Sequence, residues 1–190
     1  MKKYRSLEEM KGMQEQLFDL PPPPRPGYYG FEVKKVIIPD IVTAIMNCTR
    51  ARLMERIGYV EDVTNMLEEI TTENFYDYSN YLEDVCGWEV NEPIMSVLAQ
   101  IPYMRHEAHN DLVQYWVLLN GIKPKYSVGQ YVSFNDTKYG LLVGEITSVD
   151  LARGQYYLAA DIKESSGEID THPYIRKYED IIEQVFSHVL

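Results

Sequence analysis

His106-Glu107-Ala108-His109 places two imidazoles three residues apart with a carboxylate between them. Zinc proteases of the His-Glu-x-x-His type need a spacing of four, so that pattern fails. A pair at i, i+3 holds a metal in helical bundles when a facing helix supplies more ligands. No second pair and no nearby cysteine is present, so no metal site is expected. His172 precedes Pro173 and His188 lies near the end of the chain, each without a partner in sequence. Gly-x-Ser-x-Gly, Gly-x-x-x-x-Gly-Lys and Gly-x-Gly-x-x-Gly are all absent, which removes the usual anchors for acyl transfer and phosphate binding. Cys48 and Cys86 fall in apolar helical patterns and read as small core residues. The adjacent acids Glu61-Asp62, Glu68-Glu69 and Glu83-Asp84 diverge by about 100° on a helix, so no pair converges on one reacting atom. The expectation is a non-enzymatic protein with no catalytic, cofactor or metal residues. A carboxylate dyad assembled across helices, with His106 or His109 beside it, is the enzymatic alternative.

The residue types that do form a pattern are acids. Between Ile57 and Met104 there is no Lys or Arg, yet ten carboxylates occur: Glu61, Asp62, Glu68, Glu69, Glu73, Asp77, Glu83, Asp84, Glu89 and Glu92. Tyr59, Phe75, Tyr76, Tyr78, Tyr81, Trp88 and Tyr103 are interspersed. Ordinary soluble helices mix both signs and gain i, i+4 pairs, and tyrosine is enriched where proteins touch. The expected partner-binding set is Glu61, Asp62, Glu68, Glu69, Glu73, Tyr76, Asp77, Asn80, Glu83 and Asp84. Their counterpart is a basic protein, in particular one that handles nucleic acid. Nucleic acid itself is not the expected direct ligand of this stretch, because phosphates demand Lys and Arg. The same acids also suit a merely hydrated face.

The whole chain has 190 residues, 18 basic and 29 acidic groups and a formal charge of −11. Residues 1–30 carry net +1, residues 31–122 net −9 and residues 123–190 net −3. Two cysteines imply no disulfide framework. The opening MKKYRSLEEMKGMQEQ lacks the apolar stretch of a signal peptide, and no apolar run approaches the ~20 residues of a membrane helix. A cytoplasmic location is expected.

Three segments must position these residues. Residues 1–30 form an arm, with a thin helical stripe over 5–19 (Leu7, Met10, Met13 or Gln14, Leu17) and then a strap, Pro21-Pro22-Pro23-Pro24-Arg25-Pro26-Gly27. Residues 31–122 form an acidic helical domain. A short extended run over 31–38 leads to a helix opening at Pro39 and ended by Gly58. Further helices are expected over about 60–70, 73–86 (capped by Thr71 or Thr72), 92–101 (ended by Pro102) and 104–120. That makes five. In the 73–86 helix, Phe75, Tyr78, Leu82 and Val85 face inward. In the last, Ala108, Leu112, Tyr115, Trp116 and Leu119 do. Arg50, Arg52 and Arg56 suit the C-terminal end of the first helix. Residues 123–190 switch to period 2, with strands near 131–135, 139–149, 155–163 and 171–177, then a helix over 179–189. The fold class is α+β.

Tyr126-Ser127-Val128-Gly129-Gln130-Tyr131-Val132-Ser133-Phe134 resembles the opening of SH3-like small barrels of the KOW and Tudor type. Gly140 to Val149 is similar to their second strand, and Tyr174-Ile175-Arg176-Lys177-Tyr178-Glu179-Asp180-Ile181 to their closing strand and turn. The resemblance covers about 125–182 and implies a small closed barrel. Members of that class bind peptides, methylated side chains or nucleic acid, or only pack against neighbours. In charge layout, residues 31–122 look like small acidic proteins of bacteriophages and mobile elements that disarm host nucleases or polymerases. That likeness implies a host-cell cytoplasmic inhibitor whose acidic helices imitate DNA. The alternative is a structural module that oligomerises through its arm and barrel.

Overall fold

Val33, Ile37, Ile41 and Ile45 recur every four residues with Val42 beside them, and all five are at most 2% exposed. The structure is a computed structural model that describes residues 21–49, 56–163 and 167–185. In it this stripe forms one helix, α1 (Phe31–Thr49). The extended run at 31–38 and the helix start at Pro39 are therefore corrected. Val33, Val36, Ile37 and Ile38 favour a strand by propensity, but the i, i+4 stripe continues through Pro39 and burial decides. Pro39 sits exposed in mid-helix, at the cost of one backbone hydrogen bond.

Helix α2 (Arg56–Glu69) buries Val63, Met66 and Leu67, and it includes Gly58, which therefore stops nothing. The helix expected over 5–19, and Arg50 and Arg52, lie outside the described residues. Helix α3 (Phe75–Asp84) starts after Asn74, whose side chain accepts the Tyr76 N–H at 3.1 Å; this displaces Thr71 and Thr72 as the cap. Tyr78, Ser79 and Leu82 face inward. Val85 is 65% exposed, because the helix ends at Asp84 and the chain turns at Gly87 (φ 71°). Helix α4 (Glu92–Leu98) is capped by Asn91, and α5 (Ile101–Leu119) takes Pro102 into its first turn, where a missing N–H is harmless, so Pro102 opens α5 and does not end α4. On α5, Ile101, Arg105, Ala108, Val113 and Val117 are buried. Tyr115 and Leu119 are 61% and 66% exposed, against expectation.

The second half is a five-stranded antiparallel sheet, order β4-β3-β2-β1-β5. Its strands are β1 (Tyr131–Asp136), β2 (Gly140–Asp150), β3 (Gln155–Lys163), β4 (Ile169–Lys177) and β5 (Ile181–Val185). The closed barrel is corrected to an open sheet, since β4 and β5 are its two edges and form no ladder. Only a 3-10 turn, Tyr178–Asp180, joins those edges. Laid flat, the edges would be about 19 Å apart at ~4.8 Å per strand, so the short link requires a curled sheet. Pro173 within β4 has no N–H to offer a closing ladder. The helix expected at 179–189 is also corrected. Ile181–Val185 pairs with β1, with a register shift at Ser133/Phe134, and residues 186–190 lie outside the described ones. At Gly144 an added Cβ would meet Ala159 O at 3.0 Å and the Phe134 ring at 3.2 Å. The glycine permits close approach across the curled sheet.

Two apolar cores result, one from Val33 to Ala108 among the helices and one from Tyr126 to Ala160 within the sheet. The proline strap links the halves. Pro26 O accepts from His109 Nε2 at 3.2 Å and Pro23 O from Trp116 Nε1 at 2.9 Å. Three residues of polyproline II span about 9 Å and seven of helix about 10 Å, so the strap runs antiparallel along α5. Arg25 fastens it to the sheet. Its Nε and Nη2 donate to Glu179 at 2.6 and 2.9 Å, while Nη1 and Nη2 donate to Arg153 O and Gly154 O at 2.6 and 2.9 Å. The guanidinium stacks on Trp116 at 5.1 Å. At Gly154 (φ 58°) a Cβ would meet Arg25 Nη2 at 3.1 Å and Val117 Cγ2 at 3.2 Å, so glycine lets the β2–β3 turn lie against α5 without backbone strain or displacement of either side chain.

Candidate functional site

Helices α2 and α3 form a hairpin on the surface. At ~100° per residue, burial of Val63, Met66 and Leu67 turns Glu61, Asn65 and Glu68 outward on α2, and all three are exposed. Burial of Tyr78, Ser79 and Leu82 turns Tyr76, Asn80 and Glu83 outward on α3, and these too are exposed, Tyr76 at 57%. Asp62 and Glu69 lie on the flank of α2 that meets the end of α3. Trp88 Nε1 donates to Asp62 at 2.7 Å, and Tyr81 Oη reaches Glu69 at 3.4 Å. Asp77, Tyr81 and Asp84 share the matching flank of α3 by the same spacing. The contacts thus gather Asp62 and Glu69 with Tyr81, Trp88 and Cys86 into a seam between the helices. Burial and the Asp62 carboxylate push the Cys86 thiol up, away from thiolate chemistry. Burial and Glu69 likewise raise the Tyr81 phenol.

Two expected residues are held elsewhere. Asp77 accepts from Thr72 Oγ1 at 2.6 Å, which ties it to the α2–α3 connection. Glu73 precedes α3 and accepts from Tyr28 Oη at 2.7 Å, toward the start of α5. Burial and that bond push the Tyr28 phenol up to about 12. Behind Tyr28 lies Arg105, fully buried, with Tyr29 stacked at 4.7 Å and one hydrogen bond, to Tyr78 Oη at 3.2 Å. Its Nε and Nη2 have no partner. The arrangement of Glu73, Tyr28, Tyr29, Tyr78 and Arg105 has no signature in the sequence, because its members come from three distant segments.

Arg105 is the single Lys or Arg between residues 57 and 122, a stretch with twelve carboxylates once Glu107 and Asp111 are included. Its burial leaves that stretch with no lysine or arginine on its surface. Among the described residues the ion pairs are Arg25–Glu179, Arg153–Asp150, His172–Asp170 and Arg176–Asp136, none of which neutralises an acid of 61–92. No group of three His, Cys, Asp or Glu side chains suited to a metal occurs among the described residues. His106 is exposed while His109 serves the strap. None of the described helices is long and apolar enough to cross a membrane. The chain matches no protein family, no curated protein and no solved structure.

Proposed function

We propose that this chain is a non-enzymatic interaction protein whose α2–α3 face docks on a basic, nucleic-acid-handling protein and inhibits or retunes it. The observation that carries the reading is the burial of Arg105, which leaves the twelve carboxylates of 58–122 without a neighbouring exposed lysine or arginine in that stretch. A solvated helix that only needed solubility would gain from mixed signs. Helix α2 is about 21 Å long at ~1.5 Å per residue, and Glu61, Glu68 and, on α3 beside it, Glu83 point outward along it. That is about one outward carboxylate per 7 Å, sparser than the ~3.4 Å per phosphate of a single DNA strand, so the likeness to DNA rests on the sign of the face and not on its spacing. Tyr76 adds an exposed ring at the face. Host takeover or anti-defence by a phage or mobile element, in the host-cell cytoplasm, is the biology that fits. In this reading the curled sheet is an SH3-like module that the strap holds against the helices.

The test is capture from a cell extract by the intact chain and by a Glu61→Lys, Glu68→Lys, Glu83→Lys variant. The intact chain retains a basic protein that the variant loses; equal capture by both contradicts the proposal. A second reading, assembly through the arm and sheet, is favoured by one observation, the exposed Leu141, Ile169, Ile175 and Ile182 of the sheet.

A further inference from the structure

We infer that the unpartnered edge of the Arg105 guanidinium is a binding site for a small, singly charged oxyanion, a carboxylate such as formate or acetate, which reaches it beneath the turn at Tyr28 and Tyr29. This inference does not rest on the acidic-face reading. Arg105 has no exposed surface, and its Nε and Nη2 have no hydrogen-bond partner among the described residues. These two nitrogens share one edge of the planar group, the fork whose parallel N–H bonds match the two oxygens of a carboxylate. Arg25 uses the same edge in this molecule, where its Nε and Nη2 donate to Glu179 at 2.6 and 2.9 Å. Buried donors without an acceptor are costly, and the one bond that Arg105 makes, from Nη1 to Tyr78 Oη at 3.2 Å, leaves the fork unsatisfied.

The surroundings favour a negative guest. A helical side chain leans toward the start of its helix, so Arg105 leans toward the start of α5. Its guanidinium lies 4.7 Å from the centre of the Tyr29 ring and 5.9 Å from that of Tyr28, just before α1 begins. Its partner Tyr78 Oη donates in turn to Thr72 O at 2.6 Å, just before the Asn74 cap of α3. Tyr28 Oη reaches Glu73, next to that cap, at 2.7 Å and Pro102 O, in the first turn of α5, at 3.4 Å. The N-terminal ends of α1, α3 and α5 therefore meet around Arg105, and each carries roughly half a positive elementary charge. The acids at these ends, Glu32, Glu73 and Asp77, are exposed or half-exposed, so water and salt screen them more than they screen the buried guanidinium. The unscreened charge at the fork is positive. A second charge on the guest would meet those acids as well, so a monocarboxylate is favoured over phosphate.

The fork lies beneath a thin cover. Tyr29 stacks on the guanidinium and is itself 37% exposed. Tyr28 and Tyr29 are the central pair of a turn closed by the Gly30 N–H to Gly27 O at 2.9 Å. Glycine at both ends widens the backbone choices open to this turn, and the bond from Tyr28 Oη to Glu73 is its latch. Formate, the smallest carboxylate, asks the least displacement of the two rings. A residue that costs stability where it stands, as an unpaired buried cation does, is expected where binding requires it and folding does not.

The test is thermal melting of the full-length chain near neutral pH in sodium formate, acetate or phosphate, each against sodium chloride at equal ionic strength. Formate at about 0.1 M should raise the melting temperature of the unaltered chain by at least about 3 °C, and the rise should saturate as a bound ligand requires. Arg105→Met and Arg105→Lys should both lose the rise, the second because an ammonium has no fork. Glu73→Gln should lower the formate concentration at half-saturation several-fold, by removing a competing charge. A rise that grows without saturating, or that persists in Arg105→Met, is a general salt effect and would overturn the site. No rise in the unaltered chain, even with one in Glu73→Gln, would overturn it by assigning the fork to water or to Glu73 itself. A larger rise in phosphate than in formate would overturn the choice of a monocarboxylate.

Discussion

Arg105 is a charged side chain with no exposed surface and a single hydrogen bond, to Tyr78 Oη. Its ring contacts with Tyr28 and Tyr29 return only about 2 kcal/mol in a desolvated setting, whereas removing an ion from water costs several. Arg105→Met should therefore raise the free energy of unfolding by about 1–2 kcal/mol. Tyr78 Oη keeps its bond to Thr72 O at 2.6 Å in that variant. Urea titration of the two proteins checks the sign, and a loss of stability would show that the guanidinium is a needed part of the core. His109 makes the complementary residue-scale case. Burial holds its imidazole below the ordinary value, and Lys177, His106 and Arg25 add to that against the Pro26 carbonyl bond, which favours the charged form. A folded pKa lower than the unfolded one means that the unfolded chain binds more protons. Stability from this group is complete above about pH 6.5 and is lost as the pH falls through the folded value. Glu179 extends the trend to lower pH: burial raises its carboxyl, but the Arg25 hydrogen bonds and charge outweigh that and hold it low. Thermal melts between pH 7.5 and 5 should show the His109 limb, and His109→Gln should flatten it. A limb of the same size in His109→Gln would assign it to another group.

At the level of elements, Pro39 shows how burial overrides local preference. It interrupts α1 at an exposed position and deletes a backbone hydrogen bond. Pro39→Ala should stabilise the fold by about 1–3 kcal/mol, the interior-helix penalty less the gain in unfolded-state entropy. A melting temperature that does not rise would mean that the proline fits α1 without strain. The same helix marks the limit of what the sequence discloses. Periods of 3.6 and 2 separate the helices from the sheet, and four strands fall within two residues of expectation at each end. Proline and glycine are the residues that mislead. Pro39 looks like a start, Pro102 like a stop and Gly58 like a cap, because each signal is local while the stripes Val33–Ile45 and Val63–Leu67 are satisfied only by tertiary packing. The tail at 181–185 looks helical by its apolar spacing, but pairing with β1 gives its backbone partners that a short helix end lacks. Whether the sheet closes depends on how far it curls, which a one-dimensional pattern does not contain.

On the scale of the whole molecule, charge and bolting are both asymmetric. One stretch, 58–122, presents acids without exposed lysine or arginine, while the cations Arg25, Arg153 and Arg176 are used in ion pairs around the sheet. The exposed line Glu61–Glu68 and the ring of Tyr76 are where helical spacing puts them. The diversion of Glu73 to Tyr28 and of Asp62 to Trp88 needs partners 45 and 26 residues away, which no spacing rule foresees. Arg25 holding strap, α5 and sheet together is likewise a property of the assembled chain, since its partners lie 128 to 154 residues away. The central claim is that the α2–α3 face binds through its charge. The most direct measurement is the affinity of the captured partner for the intact chain and for the Glu61→Lys, Glu68→Lys, Glu83→Lys variant, titrated from about 0.05 to 0.5 M salt, over which the Debye length falls from roughly 14 to 4 Å. The account predicts that the intact chain loses at least about tenfold in affinity across that range, and that the variant is weak at every salt concentration. Affinity that is indifferent to salt and to the three reversals would contradict it.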